Sequence, residues 1–431
     1  MKYFLSILAV LLIIFTGYVI YSVNVDNSFN KIVIEEDKVI LDKYYIYGVH
    51  LNIEGKFNID DNSSSDIVLY NGKNFMTVDY TYRDGIISFS DNINDGLYLD
   101  SLNTGKYYLF LRIGNIDEEG IVKYKYYAIR NNTSYDDVTY YTMSDIGNKI
   151  VINFDNYYQT MAFVVGKNYD NNVYDIVVDA GHGGIDEGAY GNGYDEIDFT
   201  VEYANLLMDK LKKLGYKVRL TWNSDEVSSD EKISEYGKGG RAVIPNEVKA
   251  KYLLSIHINS GVKSASGIEI YTASGINYDF ARDMANNIVN YTGIGVSRNK
   301  MGKYYEGVYT RNFTEEDVKK SLEEYAEKGW NAYNVSTLSS YYYMIRETGG
   351  IITGAYIDDR NEEVPPNYYY NSNMGCESYL LELGYITNVD DVDILVNKKD
   401  DYVDAIVDAF VKNMERNKLE KEEIKKIIEK S

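Results

Sequence analysis

After residue 25, the hydrophobic and polar positions of the chain follow two different periods. From about residue 37 to 165, short β-branched and aromatic runs such as DIVLYN, GIISFSD and KYYLFLRIG are separated by Gly, Asn and Asp. Runs of this length and composition predict strands joined by tight turns. We count seven or eight such runs, which predict an all-β, sandwich-like domain over residues 26–170.

From about residue 173 the pattern becomes an alternation of apolar strands and amphipathic helices. The strand YDIVVDA is followed by a helical run from Glu196 to Leu214, with apolar residues at three- and four-residue spacings, and then by the strand YKVRLTW. Further strands are predicted at YLLSIHI, GIEIYTA and ESYLLELG, and further helices at 277–291, 314–333 and 400–415. This alternation predicts an α/β domain, followed by a charged, solvated helical tail over residues 418–431.

The amino terminus carries a continuous apolar run. Residues 3–25 contain no charged side chain, and about 20 apolar residues in a helix cross a bilayer core of roughly 30 Å. The residues Tyr21, Ser22 and Val23 match a signal cleavage site poorly, which favours a retained transmembrane anchor over residues 1–25. The alternative is a cleaved export signal. Either interpretation places the rest of the chain on the extracytoplasmic side, tethered to the cell membrane in the first case and secreted in the second.

The charge balance and the cysteine content exclude several partners and sites. Lys and Arg number 44, Asp and Glu number 66, and the resulting net charge of −22 repels phosphate backbones, which argues against nucleic acid as a partner. Cys376 is the single cysteine, which excludes an intrachain disulfide and a cysteine-based zinc cage. The fold must therefore be stabilised by packing.

Two histidines at the ends of apolar strands are candidate metal ligands, and the alternative is that both are structural, as lone histidines on strands commonly are. His182 follows IVVDA in the glycine-rich loop GHGG, and His257 lies at the end of YLLSIHI. If both strands run in the same direction in one sheet, the two imidazoles lie at one edge of it. Glu196 opens the helix after the first loop, so its carboxylate can turn back toward His182. Two nitrogens, one carboxylate oxygen and a water in the fourth position form a catalytic zinc site, whereas structural sites use four protein ligands.

Glu382 is the candidate general base. It interrupts the apolar run LLELGYI, and metal-assisted hydrolysis needs a carboxylate beside the metal to move protons. A carboxylate paired with a structural Arg or Lys explains this placement equally well. A nucleophilic pair of Cys376 and His257 is a further alternative, which we rank well below the metal site.

Three runs of sequence carry a resemblance to a known enzyme family. The runs IVVDAGHGGIDEGAYGNGYDEIDFTVEYANLL, RAVIPNEVKAKYLLSIHINSGVKSASGIEIYT and ESYLLELGYITNVDDVDIL resemble the zinc-dependent N-acetylmuramoyl-L-alanine amidases. These enzymes hydrolyse the amide bond between N-acetylmuramic acid and L-alanine in peptidoglycan. The resemblance covers residues of roughly 173–415 and implies a catalytic domain over 171–417 with a mixed sheet between helices. It also implies that Zn²⁺ is held by His182, Glu196 and His257 and that Glu382 is the general base.

Several positions depart from the family pattern. Pro245 lies within RAVIPN, so the helix there either starts at Pro245 or is kinked by it. Trp222 stands where an Arg is more usual, and the segment TEEDVKKSLEEYAEKGW between His257 and Glu382 is an inserted or occluding helix. Arg346 is either structural or substrate-facing, and we favour the structural interpretation.

The sequence therefore predicts a membrane-anchored zinc amidase that acts on peptidoglycan outside the cytoplasm. Two alternatives stay open: a zinc peptidase that cuts the stem peptide, and a non-enzymatic scaffold that binds the cell wall. The β-rich domain is expected to position the enzyme by binding a wall ligand or a protein partner.

Overall fold

The structure is a computed structural model of the chain. It describes residues 32–47, 50–60, 63–89, 96–99, 102–116, 122–131, 140–143, 148–167, 174–222, 233, 235, 240–273, 278–328, 337, 339–348 and 376–430. The predicted anchor over residues 1–25 lies outside these ranges. Within them, no helix combines the length and the apolar character needed to span a membrane.

The amino-terminal half of the described chain is built from strands. Twelve of them hydrogen-bond into one sheet: β1 (Ile34–Tyr47), β2 (His50–Lys56), β3 (Ser64–Tyr70), β4 (Phe75–Val78), β5 (Thr81–Arg83), β6 (Ile86–Ser88), β7 (Leu97–Tyr98), β8 (Gly105–Ile116), β9 (Val122–Asn131), β10 (Tyr140–Met143), β11 (Asn148–Phe154) and β12 (Met161–Lys167). The strand order is β10-β11-β12-β8-β9-β1-β2-β6-β5, with β3 on β8, β4 on β3 and β7 on β2. The long strand β8 lies between β12 and β9 and so joins the first three strands of this order to the last five.

The predicted β-rich region is confirmed, but its details differ from the expectation. The described strands number twelve rather than seven or eight, because one predicted run, residues 39–53, contains the antiparallel pair β1 and β2, and because strands as short as β5 and β6 carry little periodicity. The strands also form one continuous sheet instead of two separate layers. Alternate side chains of β8 enter two cores on opposite faces of this sheet: Leu109 and Leu111 in one, Tyr108 and Phe110 in the other.

The second half of the chain contains a seven-stranded mixed sheet, as the family resemblance implied. Its order is β16 (Val218–Leu220), β13 (Ile176–Ala180), β17 (Tyr252–Asn259), β21 (Glu377–Tyr385), β18 (Glu269–Thr272), β20 (Val308–Thr310) and β19 (Lys303–Tyr305). The first four strands are mutually parallel, whereas β18 runs antiparallel to β21. A separate two-stranded hairpin consists of β14 (Tyr190–Gly191) and β15 (Tyr194–Asp195).

Helices flank the mixed sheet. They are α1 (Glu196–Lys213), α2 (Ile244–Glu247), α3 (Asp279–Thr292), α4 (Glu315–Lys328), α5 (Tyr343–Thr348), α6 (Val389–Asn397) and α7 (Lys399–Lys430). The large core on one face of the sheet combines strand residues with apolar residues of α1, α3 and α7, such as Phe199, Phe280 and Phe410. On the opposite face, Val177 and Leu253 pack against Met344 of α5.

The bounds of helices α2 and α7 can be compared with the predictions from the sequence. The short helix α2 begins at Ile244, and Pro245 lies in its first turn, so the proline accompanies the start of the helix and does not kink it. The predicted helix 400–415 and residues 418–430 of the predicted tail belong to one continuous helix, α7, which runs to Lys430.

The strand directions decide where a site can form. Because β13, β17 and β21 are parallel neighbours, their carboxyl ends meet at one edge of the sheet. The antiparallel strand β18 begins at this same edge, since Glu269 is the register partner of Glu382.

Candidate metal centre

His182 lies in the loop that leaves β13 at this edge. Its backbone has a φ of +65°, which is unusual for a residue other than glycine and turns the imidazole away from the strand direction. The side chain of Asp186 holds the ring, with 3.1 Å between His182 Nδ1 and Asp186 Oδ1. The other nitrogen, Nε2, faces Glu196 Oε2 at 3.1 Å. A carboxylate on one imidazole nitrogen leaves the other nitrogen available to a metal.

Glu196 is the first residue of α1, and it is 4% exposed. The amides of Ala189 and Ile258 donate to its two oxygens, at 3.0 Å to Oε2 and 2.9 Å to Oε1. Burial raises the pKa of Glu196, but its hydrogen bonds and charge interactions with His182 and His257 outweigh burial and lower the pKa well below its usual range. Glu196 is therefore an anion in the folded protein.

His257 lies on β17 and completes the group. Its Nδ1 is 3.1 Å from Glu196 Oε1, and its ring centroid is 5.1 Å from that of His182. Its Nε2 is buried and has no hydrogen-bond partner within the described part of the chain. The ring lies against Gly181, where a Cβ atom would come within 2.4 Å of His257 Cε1. Only glycine at position 181 leaves room for this imidazole.

The three side chains fit a zinc ion. One ligand atom from each residue lies within 4.8 Å of the others. Donors bound to zinc at about 2.0–2.2 Å in a tetrahedron lie about 3.2–3.6 Å apart, close to the two 3.1 Å histidine–carboxylate separations. Two imidazoles and one carboxylate are also the donor set of catalytic zinc sites with an open fourth position. The structure thus brings together the three ligands that the sequence predicts.

Glu382 lies beside this group on β21. Its backbone is in register with His257 on one side and with Glu269 on the other, so the three side chains share one face of the sheet. Its Oε2 atom is buried and accepts no hydrogen bond from any described residue. No Lys or Arg among these residues forms an ion pair with it, which leaves the structural-pair interpretation without support. Burial, followed by the charges of Glu196 and Glu269, raises the pKa of Glu382 well above its usual value.

Glu269 is a neighbour that the sequence analysis did not identify. It is 1% exposed and accepts hydrogen bonds from Tyr271 at 2.5 Å and from Tyr385 at 2.7 Å. The sequence pattern could have identified Glu269, because this glutamate interrupts the apolar strand GIEIYTA just as Glu382 interrupts LLELGYI.

A second network that the sequence analysis missed supports the His182 loop. The fully buried Asp179 pairs with Arg241 at 2.8 Å and accepts from Thr221 and Ser255 at 2.6 Å each. Arg241 also donates to the carbonyl of Ala180 at 3.2 Å. These contacts fix the end of β13 immediately before the loop that carries His182.

Trp222 takes part in the same support. Its Nε1 donates to the Ala180 carbonyl at 2.9 Å, and a Cβ atom on Gly183 would come within 3.0 Å of its ring. The tryptophan that departs from the family pattern therefore packs against the loop that carries His182.

Two other candidates from the sequence have structural roles. Cys376 is fully buried, and burial raises the pKa of its thiol to about 12, so the thiolate needed for nucleophilic attack is not formed near neutral pH. Arg346 is 4% exposed and donates to the carbonyls of Ser340 and Tyr341 at 3.0 and 2.9 Å. The structural interpretation of Arg346 agrees with these contacts.

Comparison with known proteins connects this geometry to one enzyme family. Residues 176–414 match the profile of the family described as N-acetylmuramoyl-L-alanine amidase. The chain is 34% identical over 114 residues to the uncharacterized protein YqiI of Bacillus subtilis, covering 26% of this chain and 51% of that protein. It is 32% identical over 105 residues to the N-acetylmuramoyl-L-alanine amidase CwlM of Bacillus licheniformis, covering 23% of this chain and 37% of that protein.

The matched segments cover only part of this chain and only part of each relative. The chain spans about half or less of the length of these curated relatives. Among solved structures, the catalytic domain of CwlV, an amidase from Bacillus (Paenibacillus) polymyxa var. colistinus, is similar at 21% identity and a TM-score of 0.35, covering 56% of this chain and 97% of that one.

Proposed function

Because this chain belongs to the N-acetylmuramoyl-L-alanine amidase family, we propose that it hydrolyses the amide bond between N-acetylmuramic acid and L-alanine in peptidoglycan. The observation that carries the proposal is the convergence of His182, Glu196 and His257 within 4.8 Å, beside Glu382 on the adjacent strand, whose Oε2 atom accepts no hydrogen bond from the described residues. Acyl transfer from an unactivated amide to water needs both parts: a Lewis acid at the carbonyl and a group that moves protons.

The three ligands would hold Zn²⁺ as the cofactor. Zinc supplies Lewis acidity, which polarises a substrate carbonyl and makes water acidic enough to lose a proton near neutral pH. Glu196 contributes a negative charge that two backbone amides fix in place, and Asp186 orients His182. The site is therefore assembled before substrate arrives, which reduces the cost of ordering it during the reaction.

Glu382 would move the protons. Its Oε2 atom accepts no hydrogen bond from the described residues, and a carboxylate oxygen without donors is a stronger base than one in water, so it can accept a proton from the attacking water. Its raised pKa then keeps that proton available for the nitrogen of the departing L-alanine. One side chain can thus act first as a base and then as an acid, and no covalent intermediate with the protein is required.

Product analysis tests this function. Purified sacculi are digested with the zinc-loaded protein, and the soluble products are identified by mass spectrometry. We expect stem peptides with a free amino-terminal L-alanine and glycan strands without peptide. Glu382→Gln and chelator-treated protein serve as controls. Shortened stems that remain on muramic acid would instead identify a peptidase, and intact sacculi with bound protein would identify a scaffold.

We also propose that residues 1–25 anchor the protein in the cell membrane, with the α/β region on the extracytoplasmic side, where peptidoglycan lies. The uncharged run of residues 3–25 supports an anchor. The β-rich region would then position the enzyme through a wall ligand or a protein partner. Full-length protein in the membrane fraction that resists salt and carbonate washing is expected; release without detergent would exclude the anchor.

A further inference from the structure

Four large apolar side chains are exposed around the edge of the mixed sheet where β13, β17 and β21 end. They are Ile185 in the loop after β13, Tyr190 on the hairpin strand β14, Val262 in the loop after β17 and Val389 at the start of α6, after β21. Each is between 61% and 72% exposed. A single exposed apolar residue needs no explanation, but several around one site indicate a surface that binds a ligand. We call these four side chains the apolar rim.

Tyr190 is the member of the rim that lies beside the metal ligands. The preceding residue, Ala189, contacts Glu196 twice: its amide donates to Glu196 Oε2 at 3.0 Å, and its carbonyl accepts from the Glu196 amide at 2.8 Å. One N–Cα bond of about 1.5 Å and one Cα–Cα step of about 3.8 Å then place the Cα atom of Tyr190 at most about 8 Å from this carboxylate oxygen. The Tyr190 ring is therefore within reach of a molecule bound at the metal site.

The hairpin directs the Tyr190 ring toward solvent. Gly191 and Tyr194 are register partners and share one face of the hairpin, and Tyr190 projects from the other face. The first face packs against the protein, because a Cβ atom on Gly191 would come within 2.5 Å of the Ile386 carbonyl oxygen and the Tyr194 ring is 5.2 Å from that of Phe199. The Tyr190 ring forms no hydrogen bond or ring contact with another described residue. Both of its faces are thus available to a ligand.

Hydrogen bonds join the loops that carry the rim. The side chain of Asn192, in the turn of the hairpin, donates to the carbonyl of Ile386 at 2.8 Å. The next residue, Thr387, accepts from the amide of Gly261 in the loop after β17 at 3.1 Å. The hairpin, the end of β21 and the loop after β17 are therefore fixed relative to one another. A surface that is ordered in advance loses little conformational freedom when it binds.

The chemistry of the rim favours an uncharged ligand with an apolar face. The rim itself carries no charge, whereas Glu196, Glu269 and Glu382 lie at the same edge of the sheet and the whole chain has a net charge of −22. An anionic stem peptide gains nothing from such a surface. An N-acetylated sugar is neutral and presents C–H groups along one face of its ring. The face of a tyrosine ring carries partial negative charge, so C–H groups pack favourably against it.

The position of Tyr190 fits the position of a sugar in the proposed substrate. The lactyl group of N-acetylmuramic acid joins the sugar ring to the carbonyl carbon that water attacks through three covalent bonds, which span about 4 Å. When that carbonyl lies at the metal site, the muramic acid ring and the sugar next to it in the glycan strand lie at distances that the Tyr190 ring can reach.

We propose that the apolar rim binds the glycan strand of peptidoglycan and that Tyr190 stacks on a sugar beside the amide that is cut. This inference rests on the proposed function and identifies the part of the substrate that the rim holds. Tyr190 is then a specificity-determining residue, because it distinguishes an amide attached to a glycan from the same amide in a free peptide. An aromatic ring on a fixed hairpin provides contact area at a small cost in entropy.

The test compares two substrates that contain the same amide. One is a disaccharide of N-acetylglucosamine and N-acetylmuramic acid that carries a stem tripeptide, and the other is the D-lactyl tripeptide without sugar. Tyr190→Ala removes the ring, Tyr190→Phe keeps it, and Val389→Ser changes a second member of the rim. Leu214→Ala is the matched control. Leu214 is 56% exposed, and it follows the far end of the 18-residue helix α1, about 27 Å from Glu196.

We expect Tyr190→Ala to lower kcat/KM on the disaccharide substrate by about 5- to 50-fold, the range of losing one stacked aromatic contact. On the lactyl tripeptide the same variant should change kcat/KM by less than about twofold, because the sugar is already absent. Tyr190→Phe should keep most of the activity, and Val389→Ser should show a smaller loss that also requires the sugar. Leu214→Ala should resemble the wild type on both substrates.

Two results would overturn the proposal. Equal losses on both substrates would assign Tyr190 to the peptide or to the fold, and an unchanged kcat/KM on the disaccharide substrate for both Tyr190→Ala and Val389→Ser would leave the rim without a role in glycan binding. Zinc content and thermal unfolding show whether each variant is folded.

A binding measurement separates this inference from the proposed function. Titration calorimetry with a peptide-free tetrasaccharide of alternating N-acetylglucosamine and N-acetylmuramic acid does not require turnover. Weaker binding to Tyr190→Ala than to wild type, without hydrolysis of any amide, would support the rim and refute the amidase activity. Hydrolysis of the muramoyl amide, together with tetrasaccharide binding that is absent or unaffected by Tyr190→Ala, would do the reverse.

Discussion

Glu196 and Glu382 are two glutamates of one site whose pKa values shift in opposite directions. Burial alone would raise both, but Glu196 accepts bonds from two backbone amides and lies between two imidazoles, so its pKa falls. The carboxyl group of Glu382 is shielded from water and lies near the charges of Glu196 and Glu269, so its pKa rises. These environments give the first a permanent charge, as the proposed metal ligand requires, and give the second a pKa that suits the proposed proton transfer.

The raised pKa of Glu382 has a consequence for stability that can be measured without metal. A carboxyl group whose folded pKa exceeds its unfolded value contributes stability below the unfolded pKa of about 4.3, and this contribution is lost as pH rises through the folded pKa. Glu382→Gln cannot ionise. We expect metal-free Glu382→Gln to have a higher melting temperature than wild type at pH 8, with a difference that shrinks toward pH 4.

The same variant separates proton transfer from metal binding. Zinc-loaded Glu382→Gln should keep one zinc per chain and lose about 10²- to 10⁴-fold in kcat, the usual contribution of general acid–base catalysis. Glu377→Gln is the control, because Glu377 lies on the same strand but five positions away and so on the opposite face. Turnover by Glu382→Gln close to that of wild type would show that another group moves the proton.

At the level of elements, the loop from β13 to α1 determines whether His182 and Glu196, two of the proposed metal ligands, meet. This loop contains His182 and ends at Glu196, and Gly188 lies between them with a φ of +73°. A Cβ atom at position 188 would lie 2.7 Å from Glu196 Oε2 and 2.8 Å from His182 Cδ2. The absence of a side chain there is thus what allows the carboxylate and the imidazole to approach each other.

Gly188→Ala should therefore lower zinc affinity by at least about tenfold, because either the loop or the ligands must move. Gly193→Ala is the matched control: its φ is +87°, but nothing lies within 4 Å of the added Cβ. Both variants carry the strain of a left-handed backbone, and only the first displaces ligands. Competition with a chromogenic chelator measures the affinity. Equal zinc affinities for the two alanine variants would show that backbone strain alone is responsible.

The elements that carry the site could be predicted because their sequence patterns are strong. The strands that lead to His182, His257 and Glu382 are continuous apolar runs, and a polar residue at the end of such a run is conspicuous. Glu269 and Asp179 sit in similar runs but become meaningful only through the pairing of β18 with β21 and of Asp179 with Arg241. Contacts of that kind join residues far apart in sequence, and local periodicity contains no information about them.

In the β-rich region, by contrast, the pairing of the strands could not be predicted. Its short strands and tight turns have the expected composition, but strand count and sheet connectivity depend on register. The single sheet arises because β8 pairs with β3 along one edge and with both β9 and β12 along the other. A run of twelve residues can have several partners, and the sequence of one strand does not specify which.

At the scale of the whole molecule, the buried apolar residues fall into separate groups. Those between Val39 and Val165 form the cores of the twelve-stranded sheet, and those between Ile176 and Phe410 form the cores of the mixed sheet. No cluster of described residues draws members from both groups. Because burial of apolar surface is the main source of cooperativity, we expect the two regions to unfold as separate units.

The position of the tryptophans makes this expectation testable. Both of them, Trp222 and Trp330, lie in the second half of the chain, whereas tyrosines occur throughout it. Tryptophan fluorescence should therefore follow the unfolding of the amidase region alone, and far-ultraviolet circular dichroism should follow both regions. A ligand at 100 times its Kd adds about 2.7 kcal/mol to the unit that binds it. We expect saturating zinc to raise the melting transition seen by tryptophan fluorescence and to leave a second transition, visible only by circular dichroism, unchanged.

His257→Ala removes one metal ligand and should abolish the zinc-dependent shift while preserving the second transition. If zinc raised both transitions equally, or if fluorescence and circular dichroism reported one coincident transition, the two sheets would unfold as a single cooperative unit. Interactions between them, rather than the separate cores, would then set the stability of the metal centre.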